Sequence, residues 1–187
     1  MTEQQLRTSL NSKRLSKIEI NQLVVQLLEF PELTSCLLQE IYIEDKQGTF
    51  NASWVFDHLM RKKLQYLLPY FDEFAQGLSG LQSESCIRPM AHVCQLVCEA
   101  YFEQKSAPFQ KHINAIQLEL MLTTCFDWLI GEHKAAAKVF AMTSLYHLGT
   151  KYDWVHPELK LVLEDTISSG SAGYKNRAKK TLDMLKE

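Results

Sequence analysis

The sequence predicts an all-α fold of about nine helices, arranged as four successive antiparallel pairs. Three observations predict it. Apolar residues recur at i, i+3, i+4 and i+7 along almost the whole chain. The seven Gly and five Pro sit between these apolar stretches. No convincing strand interrupts them: the best β-like run, Glu40-Ile41-Tyr42-Ile43, is short and continues a helical stripe. At 187 residues the chain suits one domain, or one short repeat array, with ample material for a core.

The elements follow in order. Residues 1–15 serve as an N-terminal cap or a partly disordered segment, with Leu6 and Leu10 among polar residues. Ser16 and Glu19 match a capping box ahead of the stripe Ile20, Leu23, Val24, Leu27 and Leu28, and Pro31 marks its end. A short helix carries Leu33, Leu37, Leu38 and Ile41 before a polar break at Glu44-Asp45-Lys46-Gln47-Gly48. The stripe returns at Ala52, Val55, Phe56, Leu59 and Met60, then at Leu67, Leu68, Phe71, Phe74, Ala75 and Leu78. Pro69 is expected in the first turn of that second helix, which Gly77 and Gly80 stop. The next helix holds Ile87, Met90, Ala91, Cys94, Val97, Cys98 and Tyr101, with Ser85 as N-cap and Pro89 in its first turn.

A loop is expected at Ser106-Ala107-Pro108, leading into a helix from about Ile113 to Ile130. Apolar residues run nearly all round that helix, so it is expected to be the most buried. Another helix spans about Lys134 to Leu148 and breaks at Gly149; His156-Pro157 opens the next, with Leu159, Val162 and Leu163 on one face. Ser168-Ser169-Gly170-Ser171-Ala172-Gly173 forms a loop, and Tyr174 to Leu185 the last helix.

Composition narrows the function. Twenty basic against 22 acidic residues disfavour a dedicated nucleic-acid binder, although local basic faces occur at Arg61-Lys62-Lys63 and in the last helix. No apolar run reaches the roughly 18 residues of a membrane-spanning helix. The N-terminal residues lack the basic and apolar regions of a secretory signal. The five Cys, odd in number, then read as reduced, cytoplasmic thiols. Cys94 and Cys98 share a helix face, but nothing nearby in sequence completes four convergent ligands, so no metal site is implied. No phosphate loop, nucleophile elbow, zinc-protease pair or dinucleotide fingerprint occurs, and neither catalysis nor a cofactor is expected.

Small residues recur near the start of one helix in each pair, at Ala52, Ala91, Ala137 and Ala178, at spacings within the range of helical repeats. A basic residue stands three positions before three of them: Arg88, Lys134 and Lys175. In this pattern residues 17–187 resemble the HEAT-like (ARM-type) α-helical repeat superfamily. The resemblance implies one HEAT-like domain over 1–187, a short right-handed α–α superhelix acting as a non-catalytic scaffold or protein-binding module. Arg88, Lys134, Lys138, Lys175 and Arg177 would then line a concave surface facing an acidic peptide or protein.

Two other resemblances supply alternatives. Each Trp stands near an acidic residue: Trp54 with Asp57, Trp128 with Asp127, Trp154 with Asp153. HEAT-like DNA alkylation-repair glycosylases look similar, using aromatic residues and an Asp against a cationic damaged base; by that resemblance Trp54 and Asp57 would belong to a nucleic-acid site. Ser169-Gly170-Ser171-Ala172-Gly173-Tyr174-Lys175-Asn176-Arg177 resembles the signature loop of the fumarase and adenylosuccinate lyase superfamily. The Met-Pro step of that loop is absent here and Lys175 and Asn176 are adjacent, so a lyase is the third reading.

Overall fold

The computed structural model describes residues 1–43 and 47–186, and among them every regular element is helical. The chain divides into two compact units, Met1–Val93 and Cys94–Glu187, the division falling within one helix. Of the polar break expected before the fourth helix, residues 44–46 lie outside the described residues.

The first unit contains α1 (Glu3–Ser12), α2 (Lys17–Leu27), α3 (Thr34–Tyr42), α4 (Gln47–Lys63), α5 (Phe71–Gly77) and the first part of α6 (Glu84–Cys98). Capping boxes start α1 and α2. Thr2 Oγ1 accepts from Gln5 N at 3.2 Å and Ser16 Oγ from Glu19 N at 3.3 Å, each N3 side chain reaching back to its cap. The Glu19 carboxyl is held down to about 2, first by Lys13, whose Nζ lies 2.6 Å away, and then by Ser16. Leu6 and Leu10 of α1 are fully buried, so the N-terminal segment is an integral helix.

α4 is the organising element, packing against α1, α2 and α3. Ala52, Val55, Phe56, Leu59 and Met60 are buried as the stripe predicts, but so are Thr49, Asn51, Ser53 and Asp57. A helix covered on several sides must bury polar atoms, and each then needs a partner. Asn51 finds three: Nδ2 donates to Leu10 O and Lys13 O at 2.7 Å each, and Oδ1 accepts from Leu15 N at 3.0 Å. One amide thereby fixes the α1–α2 link. Thr49 Oγ1 donates to Glu40 O at 3.1 Å. Gly48 belongs to α4, not to the preceding break; a Cβ there would meet Asn11 Oδ1 at 2.4 Å, so a larger residue would have to displace the Asn11 side-chain amide.

Three proline expectations need correction. α6 begins at Glu84, so Ser85 lies inside the helix and Pro89 falls in the second turn, within an apolar stretch. Proline there leaves the Ser85 carbonyl without its helical donor. The Ser53 hydroxyl of α4 shares its one proton between Phe50 O at 2.9 Å and Ser85 O at 3.3 Å, and so partly satisfies the freed carbonyl. Pro69 lies in a 3₁₀ segment, Leu64–Tyr70, and precedes α5. Pro108 lies within α7 (Ala107–His112), where a loop was expected, and this helix raises the number above about nine.

The second unit adds α8 (Ala115–Ile130), α9 (Ala135–Leu148), α10 (Val155–Thr166) and α11 (Ala172–Met184) to α7. α9 packs against α8, α10 and α11. Asn114 and Gln117 form a capping box at α8, and Ser171 caps α11. The expectation that this unit's long apolar helix is the most buried fails: α8 leaves Ile116 and Ile130 exposed, whereas residues 48–60 of α4 are all buried or half-buried and its C-terminal basic turn is exposed. Hydrophobicity all round a helix marks where burial is tolerated; neighbours decide where it happens. Ala52, Ala91, Ala137 and Ala178 are all fully buried. Burial also pushes the Cys94 and Cys98 thiols well up, leaving them protonated and unreactive.

Asn51→Ala strands three backbone groups at once. Expected is a loss of about 3 kcal/mol or more in urea-denaturation stability, from roughly 1–3 kcal/mol per unsatisfied buried group. A loss under about 1 kcal/mol would show that water or a rearranged link replaces the amide.

Candidate functional site

The outer side of α4 carries Phe50, Trp54 and His58 at i, i+4 and i+8, a spacing that places them in one row. All three are half-buried. Phe50 and Trp54 have centroids 6.1 Å apart, and Trp54 meets His58 edge-on at 6.3 Å. Two guanidinium groups lie over this ridge: Arg14 at 4.2 Å from the Phe50 centroid, and Arg88 at 5.0 Å from that of Trp54. Both arginines are exposed, and neither pairs with a carboxylate among the described residues. The Trp54 indole N–H is buried and donates to no atom among them.

Each guanidinium is placed by a different piece of the fold. Arg14 sits on the α1–α2 link that Asn51 holds from beneath, between the bonded Lys13 carbonyl and Leu15 N–H. Arg88 rides on α6, which runs beside α4 in the same direction: Ser53 reaches Ser85, Trp54 meets Arg88, and Asp57 binds His92.

Asp57 closes the lower end of the ridge. It is 1% exposed, and both oxygens are engaged: Oδ1 with His92 Nδ1 at 2.5 Å, Oδ2 with Arg61 Nη2 at 2.6 Å. A carboxylate only accepts, so His92 carries its proton on Nδ1 in this contact. Asp57 therefore positions its neighbours and does not itself face solvent. His58 Nδ1 lies 3.1 Å from Asn21 Oδ1. Burial pushes the His58 ring down from its ordinary range; Asp57 opposes this, while Arg61, Lys17 and His92 reinforce it.

Of the residues picked out in the sequence, the fold brings Trp54, Asp57 and Arg88 together. Lys134, Lys138, Lys175 and Arg177 belong to the other unit. Lys134 precedes α9 as its N-cap residue. Lys138 lines an open pocket of about 280 Å³ with His133, Thr166, Ser169, Ser171 and Tyr174. Arg177 donates to Thr143 Oγ1 at 3.3 Å, and Lys175 is half-buried beside it on α11. In the loop that resembles the lyase signature, Ser171 Oγ accepts from Tyr174 N at 3.4 Å and so caps α11.

No family model, curated protein or solved structure matches the chain.

Sequence reasoning missed Arg14, Phe50, His58, Arg61 and His92 as members of one site. The four-residue spacing of Phe50, Trp54 and His58 was a readable signal. Arg14 left none, because its place depends on hydrogen bonds to a residue 37 positions on in the numbering.

The His58 shift gives a pH dependence with a definite sign. A ring that binds its proton less readily when folded stabilises the fold fully above its unfolded pKa, about 6.5, and loses that contribution as the pH falls below it. His58→Gln is therefore expected to flatten the fall in stability between about pH 7 and 5 in urea titrations. An unchanged slope would assign the pH dependence to other groups.

Proposed function

We propose that the chain is a non-catalytic binding module of HEAT-like, right-handed helical-repeat design, and that the ridge of Arg14, Phe50, Trp54 and Arg88 docks an acidic segment of a partner protein. The observation that carries this reading is the pair of guanidinium groups held over aromatic rings without a carboxylate of their own. Stacking restrains the long side chains before any partner arrives, which lowers the ordering cost of binding. The planar forks keep donors for a carboxylate, a geometry lysine does not offer. Trp54 adds the apolar contact area and rigidity typical of interface anchors.

A protein partner fits better than a nucleic acid. Arg88 lies over the Trp54 ring that a flipped base would need for stacking, and Asp57 is already spent on His92 and Arg61. Phosphate tracking also wants a row of unpaired cations, whereas Arg61 is tied to Asp57. The buried alanines of the sequence pattern support the repeat reading, and the five free, buried cysteines support a reducing compartment such as the cytoplasm. Among the described residues no helix is long and apolar enough to cross a membrane.

The test is fluorescence anisotropy with a labelled oligoglutamate peptide, with short duplex DNA as a parallel probe. Binding that weakens with salt is expected. Arg88→Ala should weaken it about tenfold, equivalent to roughly 1.4 kcal/mol of charge-assisted contact. Arg14→Ala/Arg88→Ala should abolish it. Tighter binding to duplex DNA than to the peptide would replace this reading with the nucleic-acid one, and full retention of affinity in the double variant would remove it.

A further inference from the structure

The three tryptophans beside acidic residues end in three different situations. Trp54 has Arg88 over its ring, Trp128 is buried, and Trp154 is 55% exposed. Trp154 stands immediately before α10 and stacks on Phe126 of α8, with centroids 5.6 Å apart and planes 17° from parallel. The stack pins the indole without covering it. An exposed indole of this kind contributes little to the core, and exposed apolar patches mark contact surfaces.

The surroundings specify what it would take. Helical spacing puts Glu158 and Leu161 on the Trp154 face of α10 and Ile130 on the Phe126 face of α8, while Asp127 and Asp153 are the chain neighbours of the two stacked rings. Ile130 and Leu161 are each 61% exposed. Asp127, Asp153 and Glu158 are exposed and form no ion pair among the described residues. The adjacent cation, Lys151, lies over Tyr152 at 6.0 Å rather than over Trp154. At Trp54 the chain supplies its own guanidinium; at Trp154 acidic residues are the chain neighbours, and no cation lies over the ring among the described residues.

We propose that the Phe126–Trp154 stack, flanked by Asp127, Asp153 and Glu158, is a second docking surface, and that its occupant is an arginine-bearing basic segment of a partner protein. A guanidinium stacks flat on the indole while its edge forks to a carboxylate, and Ile130 and Leu161 receive the apolar stem. Arginine is preferred over lysine because only the planar group satisfies both contacts at once. The surface lies wholly within the second unit and does not depend on the ridge of α4.

The experiment is isothermal titration of the full chain with an arginine–glycine repeat peptide, and with its lysine–glycine counterpart, at low and raised salt. The arginine peptide is expected to bind more tightly than the lysine one. Trp154→Ala should weaken it at least tenfold, Trp154→Phe less, and Asp127→Asn/Asp153→Asn several-fold with a shallower salt dependence. Arg14→Ala/Arg88→Ala should leave it unchanged, which separates this surface from the ridge. Unaltered affinity in Trp154→Ala with native circular dichroism would overturn the proposal, as would equal affinity for both peptides. Absence of heat with the arginine peptide, combined with self-association in sedimentation that Trp154→Ala abolishes, would assign the surface to a second copy of the chain instead.

Discussion

Everything in the first unit depends on a helix that is buried while carrying polar residues. α4 lies against α1, α2 and α3, so its side chains face protein in most directions. Thr49, Asn51, Ser53 and Asp57 would each be a liability there unless matched, since a buried polar atom without a partner costs more than its bond returns. Each is matched by a backbone group or a charged side chain on another element. These bonds fix register as well as stability: they hold the α1–α2 link through Asn51 and partly satisfy the proline-freed carbonyl of α6 through Ser53. Apolar packing alone leaves helices freer to slide and turn against one another.

The candidate site follows from the same constraint. The inward polar residues of α4 hold the link and α6 in place, and those two elements bring Arg14 and Arg88 over the rings on the outward side. The fold of the first unit and the proposed docking ridge thus share one helix. Asp57 couples them: it is a buried carboxylate held by His92 and Arg61, and its removal would leave the Arg61 guanidinium without its counter-charge and the His92 ring without its acceptor. Such an arrangement suits binding that requires rigidity more than motion, because ligand groups meet side chains already constrained.

The second unit shows the opposite balance of charge around an aromatic pair. Lys138, Lys175 and Arg177 keep their distance in sequence from the Phe126–Trp154 stack, whose own flanking residues are acidic. Trp154 gains half a contact from Phe126 and remains largely in water, whereas Trp54 is half-buried and covered by a cation. Two aromatic residues of one type therefore carry opposite electrostatic invitations, and the difference lies in neighbours supplied by other helices.

Local rules made the helical content legible. The apolar period marked out the stripes of α2, α3, α4, α6 and α10, and Ser16 with Glu19 marked the start of α2, because these signals act within one or two turns of chain; Ala172 and Gly173, read as loop, belong to α11, which Ser171 caps. Pro89 defeated the same rules: it lies in the second turn of α6, where Ser53, 32 residues away in the numbering, reaches the freed carbonyl; Pro108 sits in the first turn of α7, as the rule allows, in a segment read as loop. The relative burial of α4 and α8 was also out of reach, since both read as apolar and only the packing of neighbours separates them. The sequence by itself determined an all-helical chain and which face of most helices turns inward. Only tertiary structure decided that Arg14 reaches Phe50, Arg88 reaches Trp54 and His92 reaches Asp57, because hydrogen bonds and stacking between distant segments leave no periodic trace in the order of residues.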